Sequence, residues 1–416
     1  MKFNWKKLAI GTMSAAMALA AFPFGAVKVA TAQEAKLVIS GGGLTDYLKA
    51  NIKDFEEKNN VKVEISDNTD MFGMLDALAL DGPAGNGADV YIAPNDRVGA
   101  LAKAGHLSEV KLLDDAKYDD KDKQGVSIDG KVYGAPAVIE TIIMYYNKDL
   151  LKEAPKSFDD LMALSKDDKY KFAGEEGKNV AFLGQLTNFY FSYGILAGYG
   201  GYVFGQNGTD PKDIGLNNDK SVEAINYISD WYKNVWPKGM LDVKSSYDFM
   251  KQSFIEGKTA AIITGPWEAK ALKDAKVNLG AAKLPSLPGG NEYKPFAGGK
   301  AWVISEYSEN KELAQKFLDW ASSEEQQNKL YKGFGEVPAN HVAREAAAKD
   351  NNEITKAVID TFANAVPMPN IPQMAEVWPG AENLIFDAAS GNKSAKEAAD
   401  AAVELIKQAI EQKHGE

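Results

Sequence analysis

The sequence predicts an α/β protein of two substantial domains, on three observations. Short apolar runs alternate with amphipathic stretches from residue 36 onward. The chain has 416 residues, enough for two cores even after an amino-terminal segment is set aside. It contains no cysteine, which removes disulfides, thiolate nucleophiles, cysteine zinc sites and iron–sulfur clusters together.

The amino terminus comes first. Lys2, Lys6 and Lys7 precede an apolar run from Leu8 to Phe24, and Ala30-Thr31-Ala32 follows. A basic start, an apolar stretch of this length and a small-x-small triplet predict a secretory signal peptide over residues 1–32. The competing reading, a membrane anchor, is weakened by Gly11, Ser14 and Pro23 and by the short span. Removing these residues takes away four lysines and no acid, so the net charge moves from −11 to −15. Such an acidic surface argues against nucleic acid and anionic lipid as direct partners.

Residues 36–40 (KLVIS), 61–66 (VKVEIS) and 89–93 (DVYIA) read as strands. Helical periodicity fills 44–58, 71–80 and 96–105 between and after them. This alternation implies βαβ units around a mostly parallel sheet, which binds ligands beyond the carboxyl ends of its strands. Asp129-Gly130 marks a turn, and 141–146 (TIIMYY) a further strand. Helices at 157–166 and 221–233, strands at 259–264 and 301–305, and a helix at 310–321 continue the pattern. Residues 285–290 read as a surface loop, and 394–413 as a long alanine-rich amphipathic helix.

Catalysis needs a nucleophile with a base, or paired carboxylates with shifted pKa values. His106, His341 and His414 stand in polar or helical surface contexts, with no second ligand-type residue adjacent in sequence. The acidic stretch 114–123 fails as a calcium loop, because Lys131 falls where a bidentate Glu is required. Gly41-Gly42-Gly43 lacks the Gly-Lys-Ser/Thr of a phosphate loop and reads as a tight turn facing a cleft. Neither a metal nor a cofactor is expected.

What remains suits a carbohydrate. Trp267 follows Gly265-Pro266 directly after a strand, and Trp378 follows the segment 367–374 with its prolines and methionines. Asn188, Phe189, Tyr190, Phe191 and Tyr193 form a second aromatic patch, part of which belongs to a core. Asp96 and Arg97 follow the third strand, where the plain reading is an N-cap beside a surface arginine. Glu140, flanked by Ile139 and Thr141, has no basic neighbour in sequence, which leaves sugar hydroxyls as candidate partners. A pyranose offers an apolar face to aromatic rings and a rim of hydroxyls to carboxylates and a guanidinium fork.

These residues sit in runs that carry a resemblance: NDRVGALAKAGHLSEV at 95–110, YNKDLL at 146–151, GGYVF at 200–204, GPW at 265–267, NKELAQKFL at 310–318 and, above all, MPNIPQM at 368–374 followed by Trp378. In this order, over nearly the whole chain beyond the leader, the sequence resembles the maltose/maltodextrin-binding proteins, receptors of ATP-driven sugar importers. The resemblance implies a periplasmic-binding-protein-like fold, with two α/β lobes around a ligand cleft and three crossings near Glu140, Gly298 and residues 348–351. The lobes would comprise residues 33–141 with 299–349, and residues 142–298 with 350–416. It implies a maltose/maltodextrin oligosaccharide as ligand, the permease subunits of an importer as partner, a monomer, and an exported location in the periplasm or at the cell envelope. By position it makes Asp96, Arg97 and Glu140 polar contacts of the first lobe, and Tyr190, Trp267 and Trp378 stacking platforms of the second. Met368 would be a minor apolar contact, and Asn188 stands where the family has a carboxylate that bonds the sugar. Ala93, Pro379 and Glu382 depart from the family's tryptophan, tyrosine and arginine, which bears on chain length and on linear against cyclic ligands. The family's lipid-anchoring cysteine is also missing. The alternatives are a secreted glycosidase acting on α-glucans and a receptor of the same fold for another sugar.

Overall fold

In the computed structural model, residues 35–415 are described, so the expected leader lies outside them. The strands in chain order are β1 (Ala35–Ser40), β2 (Val61–Ile65), β3 (Val90–Pro94), β4 (Ser127–Ile128), β5 (Lys131–Val132) and β6 (Gly134–Glu140). Then follow β7 (Ile143–Asn147), β8 (Phe182–Gly184), β9 (Ala261–Thr264), β10 (Leu279–Ala282), β11 (Phe296–Ile304) and β12 (Val366–Pro367). Two main sheets form. In the first, β1 lies parallel to both β2 and β3, as βαβ units require. β11 then enters antiparallel between β3 and β6, and its first residues pair with β12. The second sheet has the order β10-β7-β9-β8, antiparallel except for β8 beside β9.

The expectation of mostly parallel sheets is therefore met only by the opening strands. β11 arrives from the other sheet and crosses in the opposite sense, which the βαβ rule for consecutive strands does not govern. Its alternation is nonetheless that of a strand: Trp302 and Ile304 pack into one apolar cluster with Leu37, Ile39 and Phe317, while Val303 faces Tyr91 and Leu78 on the other side.

A second, larger core surrounds the other sheet. Trp231, Trp236, Phe158 and Phe182 are fully buried there in edge-to-face and tilted contacts 5.4–6.0 Å apart. The chain passes between the cores where β6, whose Ala135 and Val138 lie in the first, leads into β7, whose Met144 and Tyr145 lie in the second. β11 makes the same passage in reverse, from Phe296 to Trp302.

Several elements end where local chemistry directs. Ser157 and Ser394 form capping boxes with Asp160 and Glu397. Asp129 and Gly130 take φ values of 52° and 76°, the conformation a two-residue hairpin between β4 and β5 needs. The predicted helix over 44–58 is interrupted at Ile52, giving Thr45–Asn51 and Lys53–Asn59. The predicted loop at 285–290 is half-interior, because Leu287 is buried in the second core. Among the described residues, no helix is long and apolar enough to cross a membrane.

Candidate functional site

A cleft of about 1380 Å³ opens beside the passage of β6 into β7. Gly43 and Leu44 line it from the turn after β1, Trp267 from the turn after β9, and Glu140, Lys300 and Glu336 from between. This exceeds the roughly 300–1,000 Å³ of a typical small-molecule pocket and leaves room for an oligomeric ligand. The expected tight turn at Gly41-Gly42-Gly43 is present. Gly42, at φ +50°, lies against Ile92 and Met71, where any side chain would crowd them.

Trp267 is held by its neighbours and remains 42 % exposed. Gly265 supports the ring: a Cβ there would stand 2.0 Å from the indole. The indole N–H donates to the Tyr247 hydroxyl at 2.9 Å, and that hydroxyl donates to Glu268 at 2.9 Å. Pro266 stiffens the entry to the short turn Pro266–Glu268. The result is a flat apolar surface fixed at the edge of the cleft.

Tyr190 connects this ring to Trp378, with centroids 6.3 Å from Trp267 and 6.5 Å from Trp378. Behind it lies Phe296, nearly parallel at 6.2 Å, which also touches Trp378 at 5.8 Å and stacks on Tyr193 at 3.9 Å. Phe296 is the buried hub of the aromatic wall and was not among the residues singled out from sequence. The strand read from sequence began only at residue 301, so nothing local marked Phe296.

The polar groups come from the other side. Asp96 lies in the first turn of the helix Asn95–Lys103 rather than at its N-cap, the place it was expected to take, which belongs to Pro94. Burial pushes its carboxyl up, opposed by the neighbouring Arg97 charge and by a hydrogen bond from the Trp378 indole. An acid from one sheet's helix thus meets a platform from the other's. Burial, with the Glu140 and Asp96 charges beside it, likewise pushes the Tyr190 phenol well up. Of the expected residues, Glu140 and Trp267 line the cleft itself, while Tyr190, Trp378 and Asp96 form a connected group behind Trp267 and beside Glu140.

Three expected residues stand differently. Arg97 pairs with Asp76 at 3.3 Å and lies over the Phe72 ring at 5.7 Å, so its fork is already engaged on the helix Met71–Asp81. Asn188 is exposed and caps the helix Phe189–Tyr199, its Oδ1 accepting the Tyr190 N–H at 2.9 Å. It orients Tyr190 directly. Met368 is 8 % exposed within the second core, an apolar backing rather than an open contact.

Glu140, for which sugar hydroxyls were the candidate partners, also has a partner within the protein. Lys300 Nζ donates to its Oε1 at 3.1 Å, from 160 residues along the chain. Sequence proximity could not reveal that pair. The histidines are also less isolated than their sequence contexts imply. His414 is 3.1 Å from Glu376 and His341 is 3.7 Å from Asp119. Among the described residues, no group of three or more His, Cys, Asp or Glu side chains is arranged to hold a metal ion.

Comparison with known proteins places this geometry in context. A family model for the bacterial extracellular solute-binding proteins matches residues 50–357. The chain is 55% identical over 375 residues to a maltooligosaccharide ABC transporter solute-binding lipoprotein of Streptococcus pneumoniae, covering 90% of this chain and 88% of that one. The crystal structure of the Listeria monocytogenes maltose-binding periplasmic protein in complex with maltose superposes with a TM-score of 0.86 at 55% identity, over 91% of this chain and 99% of that chain. That of MalX from Streptococcus pneumoniae with maltopentaose gives 0.86 at 54% identity, over 90% and 100%. The two sheets and their cores are accordingly the two lobes of a periplasmic-binding-protein-like fold, and the chain belongs to the bacterial extracellular solute-binding protein family.

Proposed function

We propose that this chain is an exported receptor that binds maltodextrin-type oligosaccharides between its lobes and delivers them to the permease subunits of an ABC importer. The observation that carries this reading is the convergence of Tyr190, Trp267 and Trp378 with Asp96 and Glu140 on one site. Aromatic faces suit the apolar side of a glucose unit, and the carboxylates accept from its hydroxyls. Relatives with bound maltose and maltopentaose support the same ligand class.

The lobe boundaries fit this role. Among the described residues, the proposed lobes are 35–141 with 299–349 and 142–298 with 350–415, which puts each passage of the chain beside the cleft, where it can act as a hinge. The receptor works as a monomer without a cofactor and carries out no hydrolysis. Incubation with maltoheptaose is expected to release no new reducing ends, whereas their steady appearance would favour a glycosidase.

Each sugar–aromatic stack contributes about 1 kcal/mol by analogy with aromatic pairs. Together with charge-assisted hydrogen bonds these reach a Kd on the order of 1 μM, about −8 kcal/mol. Isothermal titration with maltose, maltotriose and maltopentaose tests the reading directly. Trp267→Ala is expected to weaken maltotriose about tenfold or more with an unchanged unfolding temperature, since the ring is largely outside the core. Absence of heat with all three sugars would remove the proposal.

A further inference from the structure

Glu140 shares the cleft with two further charges, Lys300 and Glu336. In the β6–β11 ladder Gly298 stands opposite Glu140 and Lys300 opposite Val138, so Lys300 and Glu140 are diagonal neighbours on one face. Their side chains keep only 18 % and 16 % of their surface accessible. Glu336, following the helix Glu324–Phe334, lines the same cleft, as does Trp267. Burial works against the Lys300 ammonium, but the Glu140 and Glu336 charges together outweigh it and hold it protonated. Burial also raises the Glu336 carboxyl, with Glu140 repelling it and Lys300 opposing both effects. Tyr190 and Asp96 face this unit through Glu140 and the phenol, and Asp46, Lys148, Lys332, Asp350 and Glu353 are further charged groups lining the same cleft.

The Lys300–Glu140 pair has a definite consequence. Glu140 Oε1 accepts from Lys300, which leaves Oε2 for a ligand hydroxyl. Without the ammonium, Glu140 would share the cleft with Glu336 and no positive partner, and burial already favours the neutral form of Glu336.

We propose that Lys300 is the positioning residue of the sugar site: paired with Glu140 and sharing the cleft with Glu336, it offsets the two acids and holds Glu140 with one oxygen free for a glucose hydroxyl. The proposal rests on the reading of the cleft as a glucan site. It assigns Lys300 and Glu336 a part in binding that neither would have as surface charges.

The test is maltotriose titration of the whole chain from pH 5 to 8.5. Lys300→Met is expected to weaken binding about tenfold at pH 7.5 and to move the acid limb of the affinity profile upward by about one unit. The double variant Lys300→Met/Glu336→Gln removes the second acid and should recover affinity to within about threefold of wild type. Lys300→Arg should retain the wild-type profile. A role confined to packing in β11 would leave the double variant as weak as the single one and the profile in place, and either result overturns the proposal. Should Lys300→Met not fold, Glu336→Gln decides the matter. It keeps the Lys300–Glu140 pair, and its acid limb should move down by about half a unit; an unmoved limb overturns the inference. Wild type that binds no maltotriose would sink the glucan reading and this inference with it, whereas wild-type binding with unresponsive variants would sink this inference alone.

Discussion

At Gly265 the platform of the site depends on what is missing from a side chain. The Trp267 indole occupies the space where a Cβ would lie, 2.0 Å from the ring. Gly265→Ala is therefore expected to tilt the indole and to break its hydrogen bond to Tyr247. The affinity for maltotriose should fall about as far as in Trp267→Ala, roughly tenfold, because the stacking face is lost in both. Tryptophan fluorescence should report a more hydrated indole; calorimetry showing wild-type affinity in the alanine variant would refute this account of how the ring is held. Sequence singled out Trp267 by the strand and the proline before it, and the ring stands exposed at the cleft. The buried hub of the aromatic wall was not legible. Phe296 and Lys300 gain their meaning from partners on other elements, and a single sequence carries no trace of Lys300 meeting Glu140.

Element by element, the sequence is most informative where structure is local. The β4–β5 turn, the capping boxes at Ser157 and Ser394 and the opening βαβ alternation follow from short-range chemistry, and all are present. The first half of β11, Phe-Ala-Gly-Gly, was invisible because glycines carry no alternation to read. Its role as a crossing strand explains them: at Gly299 a Cβ would stand 2.6 Å from the Val138 carbonyl. A similar close approach joins the helix Asn95–Lys103 to the segment leading to Trp378. The Gly99 N–H donates to Asn370 Oδ1 at 2.7 Å, and a Cβ on Gly99 would fall 2.0 Å from the Asn370 carbonyl oxygen. Alanine in a helix interior normally gains up to about 1 kcal/mol over glycine. Here Gly99→Ala is expected to lose about 1–3 kcal/mol by overpacking and to weaken sugar binding as Asp96 and Trp378 separate. A thermal melt at or above the wild-type temperature would contradict this.

Over the whole molecule, contacts beside the passages decide how the lobes meet. If ligand bridges them, closure is a population shift driven by contacts made to both. Small-angle scattering should then show a smaller radius of gyration with maltotriose than without, and Trp267→Ala should need about ten times more sugar for the same change. One junction far from the site also carries a pH signature. Arg344 bridges Asp119 and Asp122 and lies over the Phe362 ring, while Lys121 holds the last carbonyls of the helix Glu353–Asn364. Asp122 is pushed up to about 6, because burial outweighs the Arg344 charge. An acid raised in the folded state binds its proton more tightly there than when unfolded. Its contribution is fully present below about pH 4 and is lost as pH rises through about 6, a change of roughly 3 kcal/mol. Asp122→Asn lacks this titration while every other group titrates as before. The stability of the variant relative to wild type should therefore improve from pH 4 to 6.5 and level off above that. Denaturant unfolding at five or six pH values measures the difference, and a constant offset across the series would show that the Arg344 charge, not burial, governs Asp122.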